Sequence, residues 1–370
     1  MSAANTALAF VAAHRADGPG RYRYAAGCAV PTLYSSTYAA MTQHLLGELD
    51  VLPAAERAAW GAYLQAHQDD DGLFRDPVIF NQGWYKDDPL WCGRPHLTCH
   101  VVAALACLGG VAAKPITWLD PWREPDALIR WLEARDWGEQ VAWTGNEIMN
   151  VGVLLQYARD FQNDTRAGQA VAVLLEWLVT HQVNPATGVW GDVDTSDPKW
   201  RSHAVQAAYH WWPLFFYDGV PIPHIERAID TVLATQNPLG GFGCGVHNTT
   251  ELFMSSACED IDSIDPLCRM MQFTDYRRTD IEAALAKAAD WVLTNQMPDG
   301  GFVFMRNKPF EYGHPAMRGE AGQGAMFPTW FRLLSLALIG KALPEHALGQ
   351  VPWRFVRGPG VQFWSEEKTL

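Results

Sequence analysis

The stretch SSACEDIDSIDPLCR, residues 255–269, sets four carboxylates, Glu259, Asp260, Asp262 and Asp265, within seven positions. Acids crowded in a partly buried site cannot all ionise cheaply, so at least one is expected to keep its proton to higher pH, as a general acid must. Asp265-Pro266 reads as the N-cap and first position of a helix, where proline's missing N–H costs nothing. A helix N-terminus favours the ionised carboxylate. On that reading Asp265 is a structural cap, and Asp260 and Asp262 lie further out, free to meet substrate. A second stretch, DVDTSDPKWR at 192–201, repeats the Asp pattern, the proline and the arginine. Neither stretch has the glycine and distal glutamate of a calcium-binding loop.

The other chemistry-bearing residues stand at the starts of helical stretches: His96 and His100, then Asn146, Glu147 and Asn150, then His203, Gln206 and His210. The last segment adds Arg318, Glu320, Trp330 and Arg332. Asn146 and Asn150 are four apart, and His203 is one turn from Gln206 and two from His210, so each set shares a helix face. Such faces, converging from several helices, would make a polar rim. WCGRPHLTCH, 91–100, brings Cys92, His96, Cys99 and His100 together, but its spacing is not that of the familiar zinc sites. Aromatic residues are abundant, with 17 Trp, 11 Tyr and 16 Phe. Their faces stabilise cations or stack on sugar rings, and many are simply core.

These residues need elements to hold them, and a repeat supplies the elements. Four segments end an apolar helical stretch in a glutamine and a glycine-aromatic turn: YLQAHQDDDGLF, LVTHQVNPATGVW, VLATQNPLGGFG and VLTNQMPDGGFVF. The landmarks are Phe74, Trp190, Phe242 and Phe302. The first gap is about twice the later ones, so a degenerate copy is expected between, in WLEARDWGEQVAWTGN near Trp143. One helical stretch opens after each turn and another leads into the next, with few alternating β-branched runs. Six such hairpins close into a double ring, with the charge-bearing helices outside. Trp190, Phe242 and Phe302 should then be buried between outer and inner helices.

The turns QNPLGGFG and QMPDGGF resemble the repeats of the terpenoid cyclase and protein prenyltransferase toroids, known as prenyltransferase/squalene oxidase repeats. The resemblance implies an all-α (α/α)6 toroid of six inner and six outer helices, with a pocket lined by the inner-helix starts. It implies one barrel domain over residues 1–370, with about 30 N-terminal and 20 C-terminal residues as extensions. Squalene-hopene-type cyclases carry Asp-x-Asp-Asp at the mouth of an inner helix, and the middle Asp protonates an alkene or epoxide. Here the matching residues are Asp260-Ile261-Asp262-Ser263, which makes Asp262 the implied acid and Asp260 its partner. The family's final Asp is Ser263 in this chain. The segment RGEAGQGAMFPTWFR supplies no Asp-x-Cys zinc pair of the prenyltransferase kind.

The formal charge of −13, without a Lys/Arg-rich run, argues against nucleic acid as a partner. The N-terminal residues fit neither a signal peptide nor a membrane span. Seven scattered cysteines suit a reducing compartment, so a cytoplasmic protein is expected. No cofactor is expected, Mg²⁺ being called for only if the substrate is a diphosphate.

Three functions suit this sequence. The first is a class II cyclase-like isomerase acting on an isoprenoid. Its candidate catalytic residues are Asp262, Asp260, His203 and His210. Substrate contacts would come from His96, His100, Asn146, Asn150, Gln206 and Glu259, with Trp330 and Arg332. The second is a glycan-processing (α/α)6 hydrolase or lyase using the polar rim. The third is a toroid that binds a ligand without catalysis.

Overall fold

The computed structural model describes residues 3–244 and 254–364. Twelve helices carry the architecture: α1 Ala3–Ala13, α2 Leu33–Leu45, α3 Ala54–Gln65, α4 Arg94–Cys107, α5 Pro125–Glu133 and α6 Val141–Gln162. They continue with α7 Thr165–Thr180, α8 Pro198–Asp218, α9 Ile225–Leu233, α10 Ala257–Met270, α11 Arg278–Leu293 and α12 Met326–Ala342. The even-numbered helices form the inner ring: each packs on the next, and α12 packs on α2, so the ring closes. The odd-numbered helices lie outside. The chain is an (α/α)6 toroid, and the strands among its described residues form a two-residue pairing of Phe310–Glu311 with Arg318–Gly319.

Burial explains the two rings. Outer helix α7 buries Ala167, Ala170, Val171, Leu174, Leu175 and Leu178 along one stripe, the spacing of an amphipathic helix. Inner helix α10 is buried along nearly its whole length, acids included. An inner helix touches neighbours on every side, so its polar groups need partners or a cavity.

The repeat glutamine is a clamp. Gln68 Nε2 donates to the carbonyl of Gly72 at 2.8 Å and to that of Lys114 at 2.9 Å. Gln236 reaches Gly240 and Ala284 in the same way, and Gln296 reaches Gly300 and Ala3. Each copy thereby ties its own turn to the next repeat. Phe74, Trp190, Phe242 and Phe302 are fully buried. In the Trp190 copy the turn is one residue longer, Val183 rather than Gln182 bridges to Trp190, and Gln182 sits exposed at a φ of 60°. The degenerate copy anchors on Trp137, whose indole donates to Leu132 O at 3.0 Å, while Trp143 falls in the first turn of α6.

The described parts of both expected extensions pack against the rings. Helix α1 packs on α2 and α12 and takes the sixth outer position, its Ala7, Phe10 and Val11 buried. The C-terminal stretch crosses the far end of the ring: Gln362 Oε1 accepts from Trp330 of α12, its Nε2 donates to Met41 O of α2, and Val361 O accepts from Arg269 of α10. Among the described residues no helix is long and apolar enough to cross a membrane.

Candidate functional site

The inner helices enclose a chamber of about 410 Å³. Most of its wall is aromatic or sulfur-bearing, from Tyr209, Phe304, Tyr312, Phe327, Trp330 and Met149 among others. Tyr38 stacks behind Trp330, with ring centroids 5.2 Å apart. Gly360, Val361 and Gln362 line its C-terminal end. At the mouth, Trp84, Trp91 and Trp143 stand in a row with centroid separations of 5.5 and 4.9 Å. Asn150 holds this row in place, since its Nδ2 donates to Leu90 O at 2.7 Å in the loop between Trp84 and α4.

Asp262 is the one carboxyl among the described residues lining the chamber. It is 3% exposed, and its Oδ2 has no hydrogen-bond partner among the described residues. Burial, reinforced by the negative fields of Glu259, Asp260 and Asp265, pushes its pKa well above the ordinary carboxyl range. Pro266 stands inside α10. Having no N–H, it leaves the Asp262 carbonyl, four residues earlier, without its usual helical donor. Tyr209 Oη and Gln206 Oε1, also on the chamber wall, lack protein partners among the described residues as well.

Asp260 has the opposite setting. Its Oδ1 accepts from Phe242 N at 2.9 Å and Ser255 Oγ at 2.6 Å, and its Oδ2 accepts from Trp291 Nε1 at 2.9 Å and Arg332 Nη1 at 2.8 Å. In two other repeats a threonine does the first of these jobs: Thr98 accepts from Phe74 N, and Thr329 from Phe302 N. Asp260 is thus the bracket between a turn and its inner helix, and it does not line the chamber. Arg332, fully buried, completes the bracket by donating to Val303 O and Phe304 O.

The helix start also differs from the expectation. Ser256 is the N-cap of α10, and Glu259 closes a capping box by accepting from Ser256 N at 3.0 Å. Glu259 is a cap rather than part of the chamber lining. Asp265 lies well inside the helix and pairs with Arg269 at 2.5 Å, both buried. The Asp-Pro signature does start a helix in the other stretch, where Asp197 caps α8 with Pro198 in its first turn.

His96, His100, Asn146, Asn150, Gln206, His210 and Trp330 all line the chamber with Asp262. His203 does not; its ring packs 5.1 Å from Trp200. Burial lowers the pKa of His100 to about 3 and of His210 to about 4, and it takes that of His96 well below the ordinary value. All three are therefore neutral near pH 7. His96 Nδ1 bonds Tyr34 Oη at 2.7 Å and its Nε2 faces His100 Nε2 at 3.4 Å, a contact in which one neutral ring donates and the other accepts. Among the described residues no group of three or more His, Cys, Asp or Glu is arranged to hold a metal ion.

Several wall residues escaped sequence reasoning. Trp84 and Trp91 sit in a loop without helical periodicity, Cys258 and Tyr209 read as ordinary helix residues, and Val361 comes from a stretch read as an extension. The signal that was present is the pair of tryptophans in GWYKDDPLWCG, unusual in a loop rich in charge.

No protein-family model matches the sequence, and no curated protein sequence matches it. Solved structures do. A polysaccharide lyase shares 12% identity over 93% of this chain and 99% of its own, with a TM-score of 0.52. A glycosidase variant in complex with glucose shares 14% over 92% and 96%, also with a TM-score of 0.52. The likeness is to the (α/α)6 toroid, and does not single out the terpenoid cyclases among toroids.

Proposed function

We propose that this toroid is an enzyme that delivers a proton from Asp262 to an uncharged, unsaturated substrate enclosed by aromatic walls, with an isoprenoid as the substrate class. One observation carries the reading: a buried carboxyl, its pKa raised by that burial and without a protein partner among the described residues, lines a chamber of aromatic rings. A neutral acid in an apolar site gains no stabilisation as its anion, so Asp262 keeps its proton to higher pH than a free aspartate and stands loaded as a general acid. Ring faces would then stabilise the cation formed, and closure of the chamber would keep water from it. Neutral His100, on the chamber wall beside His96, would accept the proton that the cation loses, and proton exchange with solvent between turnovers would return His100 to neutral and Asp262 to the acid form.

A second reading is a glycan-processing enzyme. It is favoured by what the two toroid neighbours are named for, lyase and glycosidase work, and by the tryptophan row at the mouth, which suits a sugar ring. Among the described residues the chamber wall carries one carboxyl, Asp262, and the adjoining hollow carries Asp136 and Glu147, so a two-carboxylate hydrolase would have to draw its pair from the mouth.

The test is to incubate the purified protein with free prenyl chains and, separately, with neutral and acidic oligosaccharides, and to analyse products by mass spectrometry. An isomer of unchanged mass, lost in Asp262→Asn, is the expected outcome. A shortened or unsaturated glycan would install the second reading instead. Binding without turnover in either series would leave a ligand-binding toroid.

A further inference from the structure

A second hollow of about 640 Å³ lies outside the chamber and shares Trp84, Trp91 and Trp143 with it, so the two spaces meet across one row of indoles. Its charged wall is Arg135, Asp136 and Glu147, formally one guanidinium against two carboxylates. The guanidinium is already committed: Arg135 Nη1 pairs with Glu147 Oε2 at 2.8 Å, and its carbon lies 5.1 Å from the Trp131 ring centroid. Asp136 Oδ1 accepts from Gly138 N at 2.9 Å. No lysine or arginine lines the inner chamber among the described residues, and Arg332 is locked to Asp260.

A phosphate group binds where unpaired cations or aimed N–H donors wait for it. These two spaces offer no unpaired side-chain cation among the described residues, and the outer one is net negative. Indole faces combined with a ring of donors and acceptors suit the opposite chemistry, a ring of C–H groups edged by hydroxyls. We propose that the ligand is an uncharged amphiphile, with an apolar chain in the chamber and a hydroxylated, sugar-like head in the outer hollow against Trp84, Trp91 and Trp143. Chains bearing a diphosphate are rejected. This assignment rests on the chamber holding an apolar chain, as in the proposed function, and adds the identity of the head.

The experiment uses the full chain carrying Asp262→Asn, so that binding is read without turnover. It is titrated calorimetrically with decyl glucoside and decyl phosphate, each below its micelle concentration, and with decanol below its solubility limit. The glucoside should bind at least tenfold more tightly than either the phosphate or the alcohol. Adding Trp143→Ala should cost the glucoside about tenfold more affinity than it costs decanol. Adding Glu147→Gln, which releases Arg135 from its pair, should raise phosphate affinity several-fold and leave decanol unchanged. Decanol binding with no glucoside preference, or phosphate binding as tight as glucoside, would overturn the head assignment alone. Failure of both decanol and glucoside to bind would overturn the apolar chamber and this proposal together.

Discussion

Asp260 and Asp262 stand about 200° apart around α10, so one faces the turn that it brackets and the other faces the chamber. The consequences separate them experimentally. Removing Asp260 strands the fully buried Arg332 and frees Trp291 Nε1 and Phe242 N. Asp260→Ala should therefore cost about 3–5 kcal/mol in denaturant unfolding, the loss typical of breaking a buried ion pair from one side. A cost under about 1 kcal/mol would show that the pair carries no such weight. Asp262 is predicted to behave differently with pH. Its folded pKa is raised, so the folded chain holds this proton more firmly than the unfolded chain does. The stability it contributes is fully present below the unfolded carboxyl value of about 4 and is lost as pH rises through the folded value. Thermal unfolding should thus show the natural chain losing stability relative to Asp262→Asn between acid and neutral pH. Parallel curves for the two proteins would mean that the carboxyl is ionised in the fold. The sequence singled out both acids, yet it could not tell the bracket from the chamber-wall carboxyl, because the bracket's partners come from three distant segments.

At the scale of elements, α10 shows which local signals survive packing. Asp265-Pro266 and Asp197-Pro198 carry the same helix-start signature, but only the second starts a helix. The difference is burial: α8 begins at an exposed turn, where local chemistry decides, whereas α10 is held on all sides and absorbs a proline within it. The real start, Ser256 with Glu259 three residues on, is a capping box that was legible in the sequence and was masked by the stronger-looking proline. Ser256→Ala is expected to cost about 1 kcal/mol as a lost cap. Asp265→Ala should cost more, because it leaves buried Arg269 without its partner. Equal costs in equilibrium unfolding would contradict this placement of the helix start. The repeat itself was readable for a related reason: its glutamine, glycine and aromatic residues work within one turn and recur in register, so local spacing records them. The chamber wall was less readable because 10 of its 27 lining residues come from loops and the C-terminal stretch, which obey no period.

For the whole molecule, the question is what turns a row of hairpins into a closed ring. The last repeat turn meets the first helix: Gln296 Nε2 donates to Ala3 O and Thr6 Oγ1, both at 2.9 Å, and Gly300 lies against the backbone of Thr6. Gly300 has a φ of +91°, and a Cβ built there would come within 2.2 Å of Thr6 O. Alanine at this site is strained twice, by its own backbone and by the helix that closes the ring. Gly322 is a natural control, with a φ of +76° and nothing within 4 Å of the same Cβ position. Gly322→Ala carries only the backbone cost, of order 1 kcal/mol. Gly300→Ala must in addition displace α1, and with it the buried face of Phe10 and Val11. Burial of two such side chains amounts to about 3–6 kcal/mol, so partial loss of that face should make Gly300→Ala the clearly less stable of the two. Hydrogen exchange locates the damage: protection should fall in α1 and at the α12–α2 contact in Gly300→Ala and stay intact in Gly322→Ala. Equal stability of the two variants, with α1 protected in both, would mean that the ring is held shut by the inner helices alone.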